Sequence, residues 1–271
     1  MEPLKEVVRA LRAKKSLGQN FLIDPHILKR IVEAAGPLEG RTVIEVGAGP
    51  GGLSREILTY PVAEVVLVEQ DVRCIPHLEA LKESFEGALT LLNADALTLS
   101  LHTIGAAPRK IIANLPYNIS VPLLLKWLKH GEFFESLTLM FQKEVASRLV
   151  ASPNTSAYGR LSVMCQAHAL VTKLFDLSPG AFIPRPQVTS TVVQLVPTVL
   201  HEAVGWDALE TVTKAAFSQR RKMLRSSLKG TLSVADLERA QISPEDRAED
   251  LSVEEFCLLA RIWTEKQSHG E

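Results

Sequence analysis

Four consecutive residues, Asn114, Leu115, Pro116 and Tyr117, bring together groups that could hold an amino nitrogen on a flat ring. Asn114 offers an amide oxygen, the Leu115 backbone a carbonyl and Tyr117 an aromatic face, while Pro116 stiffens the turn between them. An exocyclic amino group such as that of adenine is a weak nucleophile, because its lone pair is delocalised into the ring. Two acceptors that take its N–H bonds favour a tetrahedral nitrogen. Their hold strengthens as positive charge develops during methyl transfer, so they stabilise the transition state more than the ground state. No metal and no general base is needed before transfer, and in-line positioning carries most of the catalysis. By composition alone the same residues make an ordinary β-turn. Their place in the chain argues otherwise. The apolar run Lys110-Ile111-Ile112-Ala113 reads as a buried strand, and open α/β sheets bind ligands at the carboxyl ends of their strands.

A second constellation lies upstream. Thr42 to Val46 is a β-branched strand that runs into Gly47-Ala48-Gly49-Pro50-Gly51-Gly52 and then a helix from about Leu53. Strand, glycine turn and helix open a nucleotide-binding unit, and glycines there let the backbone approach a ligand closely. The spacing fits both G-x-G-x-G and G-x-G-x-x-G, so it does not by itself separate S-adenosylmethionine from NAD. Glu69, at the end of the next strand, suits a ribose diol in either case. Two residues favour the methyl donor. Glu45 stands two residues before Gly47, where dinucleotide enzymes usually carry an apolar residue. Asp95 follows the third strand, where it could accept from an adenine amino group or simply cap the next turn.

The elements that must position these groups alternate. Strands are expected at 42–46, 64–68, 89–92, 110–113 and 137–141, with helices at 72–85, 121–130 and 143–151 between or after them. That order predicts an α/β fold with a mostly parallel, doubly wound sheet. Residues 170–177 and 188–196 read as paired strands at one sheet edge, joined by the stiff loop Ser178–Pro186. Before the sheet, 4–13 has helical spacing, 14–22 reads as a loop, and Asp24 caps a helix with Pro25 at its first position and Gly36 beyond its end. After Pro197 the strand signals stop. Two domains follow: 1–200, including an N-terminal extension over 1–40, and a helical 201–271, with helices at 207–217, 219–229, 234–240 and 253–266. Ser252 and Glu255 form a capping box for the last helix.

Net charge is −1, so any nucleic-acid grip must come from local segregation of charge. Such segregation exists. Lys214, Arg220, Arg221, Lys222, Arg225 and Lys229 lie in a stretch without acids, whereas acids crowd residues 236–255. If 214–229 is one helix, most of these cations share a side, beside an apolar stripe of Phe217, Leu224 and Leu228. That is either a solvated helix face or a phosphate-tracking surface. The three cysteines, Cys74, Cys165 and Cys257, are widely spaced and suit a reducing cytosol rather than zinc or disulfides. The first fifteen residues lack the pattern of a signal peptide. No apolar run reaches the ~18 residues of a membrane span. Nothing demands more than a monomer.

With these residues assembled, the chain resembles the ribosomal RNA adenine N6,N6-dimethyltransferase family in its bacterial small-subunit form. The matching motifs are Lys15 to Leu22, Val43 to Gly52, Val68 to Asp71, Asn93 to Ala96, Asn114 to Tyr117, Phe141 to Ala146, Phe182 to Val188 and Phe217 to Lys222, in the family's order. The resemblance implies a Rossmann-like class I methyltransferase sheet with an antiparallel edge hairpin and a small all-α C-terminal domain. It implies S-adenosylmethionine as donor and no metal. It also implies dimethylation of two adjacent adenosines in the 3′-terminal hairpin loop of 16S rRNA, on a small-subunit assembly intermediate in the cytoplasm. By matched position Asn20, Leu22, Gly47, Glu69, Asp95 and Asn114 line the donor site, while Leu115, Tyr117 and Phe182 complete the target-adenine pocket. Arg220, Arg221, Lys222 and Arg225 would bind RNA. Leu115 is the variant usual in the RNA-dimethylating branch, where general amino-methyltransferases often carry a second proline. Two other classes stay open: an NAD-linked oxidoreductase, supported only by the glycine turn and Glu69, and a non-catalytic ribosome-assembly factor.

Overall fold

Uninterrupted aliphatic and β-branched runs become the centre of a sheet, because a strand covered on both faces has no polar side to show. The computed structural model describes residues 3–14, 17–198, 204–219 and 221–269. In chain order its first elements are α1 (Leu4–Leu11), β1 (Phe21–Leu22), α2 (Pro25–Ala34), β2 (Thr42–Val46), α3 (Gly52–Ile57), β3 (Glu64–Glu69), α4 (Ile75–Glu83) and β4 (Leu89–Asn93). There follow β5 (Arg109–Ala113), α5 (Tyr117–Leu128), β6 (Ser136–Gln142), α6 (Lys143–Leu149), α7 (Arg160–His168), β7 (Ala169–Leu177), β8 (Phe182–Ile183) and β9 (Ser190–Pro197).

Seven strands form one sheet in the order β4-β3-β2-β5-β6-β9-β7. The pairs β3–β4, β2–β3, β2–β5 and β5–β6 are parallel, and β9 runs antiparallel to β6. The mostly parallel sheet with an antiparallel edge is the one expected. From β2 the chain builds outward through β3 and β4, then returns to add β5 and β6 on the other side. The direction of winding therefore reverses between β2 and β5, and the crevice beyond their carboxyl ends is where such sheets bind ligands. The Asp24 carboxylate accepts from the His26 and Ile27 N–H groups at 2.9 and 3.4 Å, capping α2 as expected.

Two segments differ from the sequence expectations. Residues 21–22, expected within a loop, form β1 and pair antiparallel with β8, so that Leu22 faces Phe182. A two-residue strand whose partner lies far downstream leaves no periodic trace. Helix α5 begins at Tyr117 rather than 121, so the polar turn proper is Asn114 to Pro116.

The chain divides into two compact units. The first comprises Met1–Ala146 with Thr172–Pro197 and holds the sheet. The second comprises Ser147–Val171 with Thr198–Glu271. The division departs from a single boundary at 200/201 because 147–171 packs with the late helices. These are α8 (Trp206–Ala216), α9 (Leu224–Ser227), α10 (Val234–Arg239) and α11 (Val253–His269). Helix α7 packs on α8 and α11. The Tyr158 hydroxyl donates to the Leu251 carbonyl at 2.9 Å, and Arg160 pairs with Glu210. The capping box of α11 is present, with Glu255 N–H donating to Ser252 Oγ at 3.1 Å and Ser252 N–H to Glu255 Oε2 at 2.7 Å.

The expected helix over 219–229 does not form. Helix α8 stops at Ala216, residues 217–219 turn, and Met223 makes an antiparallel bridge to Arg247. The Leu224 and Arg225 N–H groups donate to the Asp246 and Pro244 carbonyls at 2.8 and 3.0 Å. The backbone here thus finds partners across the chain instead of along it. Beyond α8, which carries Lys214, α9 is the one helix among the described residues of the basic stretch, and it is four residues long.

Phe182 is 2% exposed and belongs to the apolar core of the first unit. Phe182→Ala should cost about 3–5 kcal/mol of stability through reduced burial and a residual cavity. A urea unfolding midpoint equal to that of the wild type would show that the ring is not packed in this way.

Candidate active site

At the winding reversal, β2 runs out into Gly47 and β5 into Asn114. The two turns come close: a Cβ on Gly47 would lie 3.7 Å from the Asn114 carbonyl oxygen and 3.9 Å from Pro116 Cδ. Gly47 also has φ +72°, a conformation costly for any residue with a Cβ. The Gly47 N–H donates to the Val68 carbonyl at 2.8 Å, which ties the turn to β3. Gly49, at φ +55°, passes the ring of Phe21 so closely that a Cβ would sit 3.1 Å from it. A glycine turn is therefore required here on steric grounds.

Around these turns opens a cleft with about 700 Å³ of empty space, the open solvent at its mouth included. Its walls are Leu17 to Phe21, the glycine turn, Val68 to Gln70, Ala94 to Ala96 and Asn114 to Tyr117. Of the residues expected at a donor site, Asn20, Gly47, Glu69, Asp95 and Asn114 line it. Leu22 instead lines an adjoining smaller pocket of about 350 Å³, to which Gly47 and Asn114 also contribute.

Glu69 is held by its neighbours before any ligand arrives. One carboxylate oxygen accepts from Gly49 N–H and the other from Asp71 N–H, each at 2.7 Å. Burial pushes its carboxyl above the ordinary range, and those two backbone N–H groups pull it back. Each oxygen keeps a lone pair for a hydroxyl. Asp95 is exposed, and its Oδ1 accepts from Leu97 N–H at 2.9 Å, the capping role that was the plain alternative. Asp95 also lines the cavity, which is compatible with the ligand reading. Glu45 is different. It is 2% exposed, its Oε2 accepts from the Ser54 hydroxyl, and it lines only the smaller pocket. Burial pushes its carboxyl up to about 8.

The acceptor turn is oriented by hydrogen bonds to distant parts of the chain. Asn114 Nδ2 donates to the Asn20 carbonyl at 3.0 Å, which commits the amide nitrogen and leaves Oδ1 as the acceptor for a ligand. Leu115 is buried at 2%, so its side chain anchors the turn while its residue lines the cavity. Tyr117, half-buried, bonds through its hydroxyl to Ser190 Oγ at 2.7 Å, which holds the ring at the cavity wall. Ser190 opens β9 and carries no motif signal of its own, so sequence reasoning missed it. Gln19 was missed likewise, although its neighbour was not.

Phe182 is not brought to the cavity. It packs across from Leu22, behind the wall, because the β1–β8 pairing turns it into the core. In the second unit, Arg221, Lys222 and Arg225 are exposed, and Arg225 lies 3.6 Å from Glu245. Arg220 lies outside the described residues. With the helix over 214–229 absent, these cations sit on a turn and a short helix, not on one helical face. No group of three or more His, Cys, Asp or Glu side chains that could hold a metal occurs among the described residues.

Residues 10–265 match the ribosomal RNA adenine dimethylase family. The chain is 49% identical to a ribosomal RNA small subunit methyltransferase A of Sinorhizobium medicae over 265 residues, 96% of this chain and 97% of that protein. The corresponding protein of Paramagnetospirillum magneticum is also 49% identical, over 96% of this chain and 94% of its own length. Among solved structures, a dimethyladenosine transferase from Plasmodium falciparum superposes with a TM-score of 0.78 at 27% identity, covering 92% of this chain and 98% of that one. The 23S rRNA methyltransferase ErmE, at 23% identity and a TM-score of 0.67, covers 90% of this chain and 100% of its own, and shares the fold.

The buried Glu45 carboxyl gives a pH signature. Its proton is kept in the folded chain up to about 8 but lost from the unfolded chain near the ordinary value of 4.5. Its contribution to stability is therefore full below the lower value and declines as pH rises towards the upper one. Replacing it by a neutral isostere, Glu45→Gln, should remove this component of the decline in thermal midpoint between about pH 5 and about pH 8. Parallel profiles for variant and wild type would contradict the assignment.

Proposed function

The chain belongs to the ribosomal RNA adenine dimethylase family and is an rRNA adenine dimethyltransferase, and on that premise we propose how its residues share the work. The substrate in this reading is the pair of adjacent adenosines in the 3′-terminal hairpin loop of small-subunit rRNA, each methylated twice at N6 during subunit assembly. The observation that carries it is the Asn114 amide at the cavity wall, whose nitrogen donates to the Asn20 carbonyl and so leaves its oxygen as the acceptor.

S-adenosylmethionine, when bound, supplies an electrophilic methyl group on a sulfonium centre. The residues present fit it. Glu69 offers two pre-oriented oxygens to a ribose diol. Gly47 and Gly49 clear the approach, and Asp95 offers its second oxygen to the donor's adenine amino group. Asn20 and Leu22 bound the two ends of the site. Glu45, committed to Ser54, fixes the glycine turn from below.

The target adenine stacks on Tyr117, whose tilt Ser190 sets, and its N–H bonds go to Asn114 Oδ1 and the Leu115 carbonyl. These acceptors strengthen as the nitrogen becomes cationic. A base must leave its stack to reach this pocket, which a hairpin loop makes easier. Phe182 supports the pocket indirectly, by buttressing Leu22. In the helical unit, Arg221, Lys222 and Arg225, with Arg220, track phosphates, and Lys214 on α8 extends the charge. A monomer acting on an assembly intermediate in the cytosol suffices for this chemistry. No helix among the described residues is long and apolar enough to cross a membrane.

The direct test is tritiated methyl transfer to unmethylated small subunits followed by nucleoside analysis, with dimethyladenosine as the expected product. Asn114→Ala should lower turnover by at least about 10²-fold, as for loss of a transition-state hydrogen bond, with little change in RNA affinity. Unchanged turnover would remove Asn114 from the mechanism. Changing Arg221, Lys222 and Arg225 to Gln should weaken RNA binding and lower its salt slope by about 1 for each phosphate no longer neutralised. An unaltered slope would place the RNA grip elsewhere.

A further inference from the structure

We propose that Gln19, Asp71 and Arg73 form a clasp that positions the methyl-donor site, with Gln19 and Arg73 acting as one unit in donor affinity. The inference rests on the donor reading above.

Arginine carries five N–H donors in a rigid plane and can serve several acceptors at once. Arg73 does so here. Its Nη1 donates to the Leu11 carbonyl and, at 3.1 Å, to the Arg12 carbonyl. Its Nε donates to Asp71 Oδ1 at 2.9 Å, and its Nη2 to Asp71 Oδ2 and to Gln19 Oε1, the latter at 3.3 Å. Gln19 is gripped from both sides of its amide. Nε2 donates to Asp71 Oδ2 at 2.7 Å, and Oε1 also accepts from Lys14 N–H at 2.9 Å. Asp71 is 4% exposed, whereas Val72 beside it is 65% exposed. The chain thus turns an acid inward and leaves a valine in solvent, the reverse of what apolar burial would choose. A buried carboxylate must be fully partnered, and the Arg73 side chain holds this one at about 2, so it stays ionised through the working range.

The position of the clasp gives it a role beyond anchoring α1. Asp71 N–H is one of the two donors that fix Glu69. Gln19 lines the cavity, and the next residue, Asn20, lends its carbonyl to the Asn114 amide. One side-chain cluster therefore links the ribose-binding acid, the wall facing the donor and the orientation of the acceptor amide. Neither Gln19 nor Arg73 touches the reacting atoms in this reading. Both are positioning residues.

The test is calorimetric titration of S-adenosylhomocysteine onto the full chain. Absence of binding to the wild type would sink the donor reading itself. Given wild-type binding, Gln19→Ala and Arg73→Ala should each weaken it about tenfold, the loss expected for a hydrogen bond involving a charged group. The double variant should be little weaker than either single, because the two side chains act together. The thermal midpoint of Gln19→Ala should stay close to wild type, whereas Arg73→Ala, which leaves the buried Asp71 carboxylate without its cation, should lower it; trypsin should cut faster after Arg12 and Lys14 in both. Arg73→Lys should remain weak, since a point charge cannot serve carbonyls, carboxylate and amide together. Wild-type affinity in the single variants, additive losses in the double, or full affinity in Arg73→Lys would each overturn the clasp. Should Arg73→Ala not fold, Gln19→Ala, a neutral change on a partly exposed residue, decides the matter alone.

Discussion

The site depends on how closely two backbone turns approach one another. Gly47 and Asn114 follow neighbouring strands on either side of the winding reversal, and a methyl group on Gly47 would already be in van der Waals contact with the Asn114 carbonyl. Everything else follows from that proximity. In the proposed mechanism the β2 turn reaches the donor, the β5 turn reaches the acceptor base, and a methyl group has only a short distance to travel. A catalyst without a general base can work in this way, because its rate comes from alignment and from acceptors that gain strength as charge appears.

Around that approach the structure spends its polar groups on orientation. Four hydrogen bonds between residues remote in sequence fix four functional groups: Asn20 to Asn114, Ser190 to Tyr117, Gly49 to Glu69 and Gln19 to Asp71. None is a substrate contact in the proposed mechanism. Each limits what a neighbouring group can do, and together they orient the polar groups around the cavity. Preorganisation of this kind removes the reorganisation that water would demand at the moment of reaction.

How much of this was legible in the sequence varied with the range of the interaction. The parallel strands could be read because burial on both faces leaves a continuous apolar run, as in Val65 to Val68. The caps at Asp24 and Ser252 could be read because their partners lie within three residues. The β1–β8 pair could not, since two residues are too few to show a period. The basic stretch misled in a more instructive way. Phe217, Leu224 and Leu228 do fit a helical stripe, and both leucines are buried. The backbone between them is nonetheless claimed by carbonyls at 244 and 246, a tertiary preference that overrides local propensity. Phe182 shows the same limit at the site. Its matched position suggested the pocket, whereas its cross-strand partner turned it into the core.

The helical unit is made of two stretches of chain separated by the last strands of the sheet. During synthesis from the N-terminus, α7 emerges with Leu161, Met164 and Cys165 prepared for burial, well before α8 and α11 exist to cover them. Strand β6 likewise stays an open edge until β9 has been made. Neither unit can close without residues that the ribosome adds late. Interleaving the two in this way ties the completion of the methyl-transfer site to that of the basic module, so a nascent chain presents an exposed sheet edge and an uncovered helix for much of its synthesis.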